Sequence, residues 1–352
     1  MTLKTLSRAG ASALMIAAMA SPLTAQQEYS LSGDEVAIYN LAGTAEIVRG
    51  RGPDVIVRVL RGGDDAAQLD VEVGRIDGRE VLRVVYPGSR IVYPEMGRRT
   101  QNTVRVAADG TFHGRRRGDR VTISGSGRGL EAWADLIIMV PPGKSVSVDI
   151  SAGASHARGV EGDLTIDIGS GRVTAIDITG SLNIDTGSGS VQIRNVTGDV
   201  MVDTGSGNVE LNDVRGREVN VDTGSGSVDG RGITAERIVI DTGSGGIEIA
   251  EVSAPDVYLD TGSGSVRVEL LRDVDRLEID TGSGSVTVVL PADVGAEIDI
   301  ETGNGGIELD FPITIRRASR DHVVGRVGDG RGRIHIDTGS GSVRLVQGRT
   351  VR

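Results

Sequence analysis

One acidic residue recurs along the chain within a fixed phrase: apolar, acid, Thr, Gly, Ser, Gly, Ser, Val. The phrase occurs nine times, and its acid falls at Asp167, Asp185, Asp203, Asp222, Asp241, Asp260, Asp280, Glu301 and Asp337. Carboxylates at a repeated spacing could accept hydrogen bonds from the following turn, bind cations, or share a proton as a catalytic pair. The element that positions them decides between these chemistries.

Stacking one acid per repeat would place like charges about 5 Å apart, at a cost of about 1 kcal/mol per neighbour in water. The favoured interpretation is that backbone N–H groups of the Gly-Ser-Gly turn hold each carboxylate. The alternative is a ladder of Ca²⁺ sites shared by Asp185, Asp203, Asp222, Asp241, Asp260 and Asp280. The Gly-Gly-x-Gly-x-Asp pattern of calcium-binding β-rolls is absent. We therefore expect no bound metal and little stabilisation by calcium.

The phrase Asp-Thr-Gly-Ser also resembles the active-site sequence of aspartic proteases. Those enzymes bring two carboxylates face to face across a cleft. Nine copies in one column argue against such a site, and we predict no catalytic residues and no cofactor.

Successive acids are 18 to 21 residues apart, except for a final step of 36. Within one unit, Leu182 and Ile184 alternate with polar residues, as do Val191 and Ile193, so each unit contains two short strands with one buried face. Gly187 and Gly189 are expected to turn the chain at positive φ. A short period with two strands per unit predicts an all-β, right-handed parallel β-solenoid with about 18–21 residues per coil.

The solenoid also predicts which side chains are buried. The aliphatic residues that precede the acids should form one buried column, while the acids lie together outside it. The predicted column is Ile184, Val202, Val221, Ile240, Leu259 and Ile279. Val228 is followed by Gly230 where other coils have a second aliphatic residue, so that coil should be the weakest.

The chain divides into three segments by composition. Residues 1–25 resemble a signal peptide, because Lys4 and Arg8 precede an apolar run of about ten residues, which is too short to cross a bilayer. Residues 28–145 carry strand patterns without the repeat and should form an all-β lead-in that caps the open end of the solenoid. Residues 146–352 form the predicted solenoid, with an insertion at about 311–333 and one further coil after it.

The insertion is the place most similar to a catalytic site. It contains Arg316, Arg317, Arg320, Asp321 and His322. The favoured interpretation is a solvated basic loop folded against an acidic rod. A groove lined by converging Asp, Arg and His would instead favour a carbohydrate-active enzyme. The four histidines, His113, His156, His322 and His335, have no zinc-type spacing.

The charge distribution limits the kinds of binding partner that the chain can have. Residues 149–310 hold 30 acids and 10 arginines, a net charge of −20, while the rest of the chain carries +9. An acidic rod repels phosphates, which argues against nucleic acid and favours cations or a basic partner. The basic clusters at Arg98-Arg99 and Arg115-Arg116-Arg117 are interpreted as solvated loops, and contact with an acidic envelope polymer is the alternative. The chain has no cysteine, so no disulfide supports the fold.

Three stretches carry a family resemblance: the Asp-Thr-Gly-Ser-Gly-Ser-Val units, the segment 134–143 running into Val146-Ser147-Val148, and the segment 324–330. They resemble the bacterial adhesin-like family known as the domain of unknown function 4097 (DUF4097). The resemblance covers roughly residues 33–345. It implies a secreted or envelope-associated β-solenoid, with no established catalytic residues to transfer.

These observations predict an exported, non-enzymatic, adhesin-like binding or scaffold protein of the periplasm or cell surface. Its partner would be an envelope or surface polymer or protein. The alternatives are a carbohydrate-active enzyme on a β-helix scaffold and a calcium-binding surface repeat protein. The mature chain is expected to carry no transmembrane anchor.

Overall fold

The computed structural model describes residues 27–112 and 118–348, so the predicted signal peptide and the cluster Arg115-Arg116-Arg117 lie outside the described residues. The described residues of the N-terminal part form ten strands and two short 3₁₀ helices, Ala66–Gln68 and Pro94–Met96. The strands are β1 (Gln27–Leu31), β2 (Glu35–Arg49), β3 (Val55–Gly62), β4 (Asp70–Ile76), β5 (Arg79–Val85), β6 (Arg90–Val92), β7 (Gln101–Val106), β8 (Asp119–Ser124), β9 (Leu130–Glu131) and β10 (Trp133–Val140).

The repeat region contains the strands β11 to β31. They are β11 (Lys144–Arg158), β12 (Gly162–Ser170), β13 (Val173–Thr179), β14 (Leu182–Thr186), β15 (Val191–Thr197), β16 (Val200–Thr204), β17 (Val209–Arg215), β18 (Glu218–Thr223), β19 (Val228–Thr234), β20 (Arg237–Thr242), β21 (Ile247–Val252), β22 (Asp256–Thr261), β23 (Val266–Leu270), β24 (Arg276–Thr281), β25 (Val286–Leu290), β26 (Ala296–Thr302), β27 (Ile307–Asp310), β28 (Thr314–Ala318), β29 (His322–Val327), β30 (Gly332–Thr338) and β31 (Val343–Gln347).

Parallel pairing between equivalent strands of successive units builds the solenoid. Strands β12, β14, β16, β18, β20, β22 and β24 stack in one ladder, and β13, β15, β17, β19, β21, β23 and β25 stack in another. Within the first ladder the acids pair in register, for example Asp222 with Asp241. The prediction of an all-β parallel solenoid is confirmed.

The predicted buried column is also confirmed. Its six aliphatic side chains are at most 2% exposed, while the acids one residue later in the chain are exposed. The interior of the solenoid is filled even at Gly230, where a side chain was expected to be missing. A Cβ atom at this position would lie 2.8 Å from Ile233 and 2.9 Å from Ile249. These two side chains fill the space that the missing side chain leaves.

The N-terminal strands cover the first end of the solenoid. β2 pairs parallel with β11 along almost its whole length. On its other side, β2 pairs parallel with β5 and β10, and these continue into antiparallel pairs with β4 and β3. The edge of the stack is therefore occupied by strands of the same chain, which protects it from pairing with other chains. The division at residue 145 remains a prediction.

The other end of the solenoid departs from sequence order. β30 lies between β24 and β26 and pairs parallel with both, and β31 lies between β25 and β27 in the same way. The final coil in sequence is thus inserted before the coil of Glu301. The hairpin of β28 and β29 pairs antiparallel with the outer edge of β26 and closes the stack.

The second strand of several coils contains a corner that the alternation of residues did not reveal. Asp177, Asn195, Asp213 and Glu251 have φ between 54° and 57°, and Gly232 has φ of 69° at the equivalent place. Left-handed backbone of this kind is best tolerated by Gly, Asn and Asp. The corner turns the next aliphatic residue inward, which adds a further buried column of Ile178, Val196, Val214, Ile233 and Val252.

Close packing, more than positive φ, explains the glycines of the repeated phrase. Gly189 has φ of 152° as expected, but Gly187 and the later corner residue Gly245 do not have positive φ. A Cβ atom at Gly245 would lie 1.8 Å from the carbonyl oxygen of Gly226 in the preceding coil. Only glycine lets the corners of successive coils approach this closely.

The threonine of the phrase holds the corner from inside. Thr242 is fully buried; its Oγ1 donates to the Gly226 carbonyl at 2.8 Å and accepts from the Gly245 N–H at 3.0 Å. The same pair of bonds recurs at Thr223, Thr261, Thr281, Thr302 and Thr338. Thr204 is buried too, but its hydroxyl has no hydrogen-bond partner among the described residues.

This difference gives a matched pair of substitutions. Thr242→Val should lower the free energy of unfolding by about 1 to 3 kcal/mol, because it leaves a buried N–H and a buried carbonyl without their partner. Thr204→Val removes a hydroxyl that makes no bond, so it should be neutral or slightly stabilising. Urea denaturation of both variants measures the effect, and equal losses would contradict the role given to the threonine hydroxyl.

Candidate functional site

The most extended candidate surface is the ladder face, defined as the outward side of the first-strand ladder that carries the repeated acids. Their order along the stack is Asp167, Asp185, Asp203, Asp222, Asp241, Asp260, Asp280, Asp337 and Glu301. All but the half-buried Asp167 are exposed. The structure therefore brings the predicted acids together on one surface, with the last two in exchanged positions.

The prediction that the glycine N–H groups of the corner hold the acid is wrong for Asp241. In the coil of Asp241, the N–H of Gly243 donates to the Thr223 carbonyl and the N–H of Gly245 donates to Thr242. The glycine donors of the corner are thus engaged by backbone and threonine. The acid points outward, whereas the next residue, threonine, points into the corner, so the hydroxyl is the group that reaches these donors.

The carboxylate of Asp260 shows repulsion within the ladder. Partial burial, followed by the charges of Asp241 and Asp280, raises the pKa of Asp260 above its ordinary value of 3.8. Asp199 lies outside the ladder, and its pKa is shifted in the opposite direction. Hydrogen bonds from the backbone N–H and side chain of Arg217 lower the pKa of Asp199.

These directions predict opposite effects of two amide substitutions. A carboxyl group whose pKa is raised in the folded state stabilises the fold fully below its ordinary pKa, and this contribution is lost as the pH rises through the raised value. Asp260→Asn should therefore increase the melting temperature at pH 7, with the gain disappearing below about pH 3.8. Asp199→Asn should decrease the melting temperature at pH 7. Thermal denaturation at pH 7 and pH 3 checks both signs, and a decrease for Asp260→Asn at pH 7 would refute mutual repulsion.

A second candidate lies where the insertion meets the last coils. A cavity of about 740 Å³ is lined by Glu301, Thr302, Gly303, Arg317, Ala318, Ser319, Asp321, His322, Asp337 and Gly339. Of the predicted insertion residues, Arg317, Asp321 and His322 reach this cavity. Arg316 instead forms an ion pair of 2.9 Å with Glu297, and Arg320 is exposed. The interpretation as a simple solvated loop is therefore incomplete, because acids, an arginine and a histidine converge on one cavity.

Hydrogen bonds fix the hairpin turn at this cavity. The Thr302 N–H donates to the Asp321 carbonyl at 2.8 Å, and the Ser319 N–H donates to the His322 carbonyl at 2.8 Å. The Ser319 hydroxyl donates to the Asp321 carboxylate at 2.7 Å, and this bond is the main reason that the pKa of Asp321 is lowered. The turn thus has defined geometry, and Asp321 stays ionised at neutral pH.

A third surface was not predicted. A groove of about 630 Å³ runs across β15, β17, β19 and β21, with Gln192, Glu210, Asp229 and Glu248 in its wall. Partial burial, together with the charges of Glu248 and Glu210, raises the pKa of Asp229. These polar residues occupy outward positions of the second strand in each coil. The alternating pattern of the sequence predicts only that such positions face solvent, so it did not indicate a groove.

The geometry defines a class of protein: a parallel β-solenoid capped by antiparallel strands at both ends, with one acidic face. The family comparison makes this assignment more specific, because residues 136–346 match the family model described as Toastrack DUF4097. This match covers more than half of the chain, and the chain belongs to that family. A comparison with curated proteins finds no match.

Two solved structures are similar to this chain. One is titled a "putative cell adhesion protein" from Clostridium sporogenes ATCC 15579, with 12% identity and a TM-score of 0.20 over 92% of this chain and 100% of that chain. The other is titled a "putative adhesin" from Bacteroides fragilis NCTC 9343, with 12% identity and a TM-score of 0.34 over 91% of this chain and 96% of that chain. Among the described residues, no helix is long and apolar enough to cross a membrane.

Proposed function

We propose that this chain is an exported, non-enzymatic, adhesin-like binding or scaffold protein of the cell envelope, and that the ladder face binds a cationic partner. The observation that carries the proposal is the exposed column of carboxylates, which presents a negative charge in successive coils. Neighbouring strands lie about 4.8 Å apart. A surface of this kind suits a polymer or protein with repeated positive charges better than a single small ligand.

The charge of the whole rod supports this choice. Residues 149–310 carry a net charge of −20, which attracts polycations over a distance and repels phosphate polymers. A residue repeated in every coil also does not single out one place for catalysis, whereas enzyme sites usually converge on one concave pocket. Binding along the rod uses the repetition itself.

The test compares the ladder face with another acidic surface of the same charge. One variant of the mature chain combines Asp222→Asn, Asp241→Asn, Asp260→Asn and Asp280→Asn. The control neutralises four acids of the second-strand face, Glu210, Asp229, Glu248 and Glu269, so its net charge changes by the same amount. Binding to immobilised polylysine, chitosan and envelope extract is measured at several salt concentrations.

The ladder variant should lose at least about tenfold in affinity, while the control should keep most of its binding. Equal losses would mean that net charge, and not the ladder face, governs binding. Absence of binding by the unmodified chain to all three materials would overturn the proposal.

Calcium provides a separate prediction about the same face. A Ca²⁺ ion takes six to eight oxygen ligands, but the corner carbonyls of Gly226 and Gly245 already accept from Thr242 and Thr261. Without these carbonyl groups, one carboxylate per coil provides too few oxygen ligands for a Ca²⁺ site. The melting temperature should therefore change little when millimolar Ca²⁺ replaces a chelator at constant ionic strength. A rise of many degrees that Asp222→Asn and Asp241→Asn together diminish would favour a calcium-binding surface protein.

A carbohydrate-active enzyme is the second candidate, because acids, an arginine and a histidine converge on the cavity beside the insertion. Product analysis on the same glycan and envelope samples tests it. New reducing ends or unsaturated products that disappear with Asp321→Asn would favour the enzyme. Retained glycans without products would favour the binding protein.

A further inference from the structure

We infer that Asp299, Glu301 and His322 form a binding site for a divalent transition-metal ion of the Zn²⁺ class. Their ligand atoms all lie within 4.8 Å of one another. Asp299 and Glu301 lie on β26, and His322 begins the antiparallel strand β29 beside it. No other group of three such residues with this spacing occurs within residues 27–112 and 118–348. This inference depends on neither function proposed above.

The distances suit a tetrahedral ion. His322 Nε2 lies 2.9 Å from Asp299 Oδ1 and 3.5 Å from Glu301 Oε1. Ligands bound tetrahedrally to zinc at about 2.0 to 2.1 Å are about 3.3 to 3.5 Å apart. On metal binding, the hydrogen bond between His322 and Asp299 would open slightly, and the carboxylate oxygens of Asp299 and Glu301, which lie within 4.8 Å of each other, would approach the same ion.

The insertion of the last coil supplies a second histidine. His335 on β30 lies opposite Asp299, with its Nδ1 3.9 Å from Asp299 Oδ2. Asp299 thus has an imidazole near each of its oxygens. His335 could serve as a fourth ligand, or it could orient the carboxylate that binds the ion, as outer groups do in known metal sites.

Charge provides an independent reason for a cation here. Asp337 lies opposite Glu301 in the parallel pair of β26 and β30 and lines the same cavity as His322, so it adds a third carboxylate at this place. Carboxylates placed this close together add mutual repulsion to the folded state. A divalent ion would neutralise it.

The ligand types select the metal. Imidazole together with carboxylate suits zinc and its neighbours in the transition series, whereas calcium prefers oxygen ligands alone. His322 and Glu301 also line the 740 Å³ cavity, which leaves room for water on the open side of the ion.

Isothermal titration of the mature chain with ZnCl₂ and, separately, CaCl₂ tests the site, together with thermal denaturation. The variants are His322→Gln and Asp299→Asn, with His156→Gln as the control, because His156 is an exposed histidine on β11 away from the cluster. Circular dichroism without metal verifies that each variant is folded.

We expect one Zn²⁺ per chain and a higher melting temperature with zinc. His322→Gln and Asp299→Asn should each weaken Zn²⁺ binding at least about tenfold, as loss of groups in a metal site does, while His156→Gln binds normally. No zinc binding up to millimolar concentration, or equal affinity in His322→Gln and the unmodified chain, would overturn the site. Calcium binding as tight as zinc binding would overturn the assignment to a transition metal.

Discussion

Gly245→Ala is expected to lower the free energy of unfolding by about 3 kcal/mol or more, the upper range for overpacking of a close-packed site. The added Cβ atom would lie 1.8 Å from the oxygen and 2.4 Å from the carbon of the Gly226 carbonyl. No side-chain rotation relieves this overlap, because both partners are backbone. Relief requires the two coils to separate, which would break the bond of the Thr242 hydroxyl to the Gly226 carbonyl of the preceding coil.

The adjacent residue is the control. A Cβ atom at Gly246 would have the Ser265 carbonyl oxygen at 3.4 Å as its nearest neighbour, and other coils carry serine there. Gly246→Ala should therefore change stability by less than about 0.5 kcal/mol, as surface substitutions usually do. Urea denaturation followed by circular dichroism compares the two variants. Similar midpoints would show that the corners of successive coils are not packed as closely as the structure places them.

The parts of the fold that follow from local spacing could be predicted from the sequence. The constant position of the acid, next to an alternating aliphatic pair, determines both the parallel register and the buried face, since a slip of one residue would expose Ile240 and bury Asp241. The ladder face followed from the same register. The hydrogen bonds of the corner could not be predicted in this way, because the sequence places threonine next to aspartate and does not show which of the two side chains reaches the N–H groups.

The order of the last coils could not be predicted for a different reason. β26 and β30 both carry aliphatic residues, an acid and a threonine at the same spacing. Their sequences therefore allow either strand to pair with the edge of β24. The hairpin of β28 and β29 decides between them, because it occupies the outer edge of β26 by antiparallel pairing. The metal cluster depends on this choice, since it unites residues from β26 and β29 that are more than 20 positions apart.

The same reasoning explains why the histidines gave no sequence signal. Zinc sites are recognised in sequence when their ligands are close together along the chain. Here His322 approaches Asp299 only because β29 runs antiparallel to β26, and His335 approaches it only because β30 is inserted beside β26. Long-range pairing, and not local spacing, creates the site.

Ile240→Ala is expected to lower the free energy of unfolding by about 2 to 5 kcal/mol, the usual cost of removing a large aliphatic side chain from a packed core. Ile240 is fully buried, and its neighbours in the column are Val221 and Leu259 of the adjacent coils. Each coil is thin, so no other side chain of the same column can move in to fill the cavity without leaving its own place.

The adjacent Val239 is half-buried and faces outward, so Val239→Ala removes apolar atoms from the same strand and should cost less than about 1 kcal/mol. Urea denaturation of the two variants measures the difference between the inner and outer faces of β20. A loss below about 0.5 kcal/mol for Ile240→Ala would mean that the column is not packed, and with it the register that places the acids on the ladder face would fail.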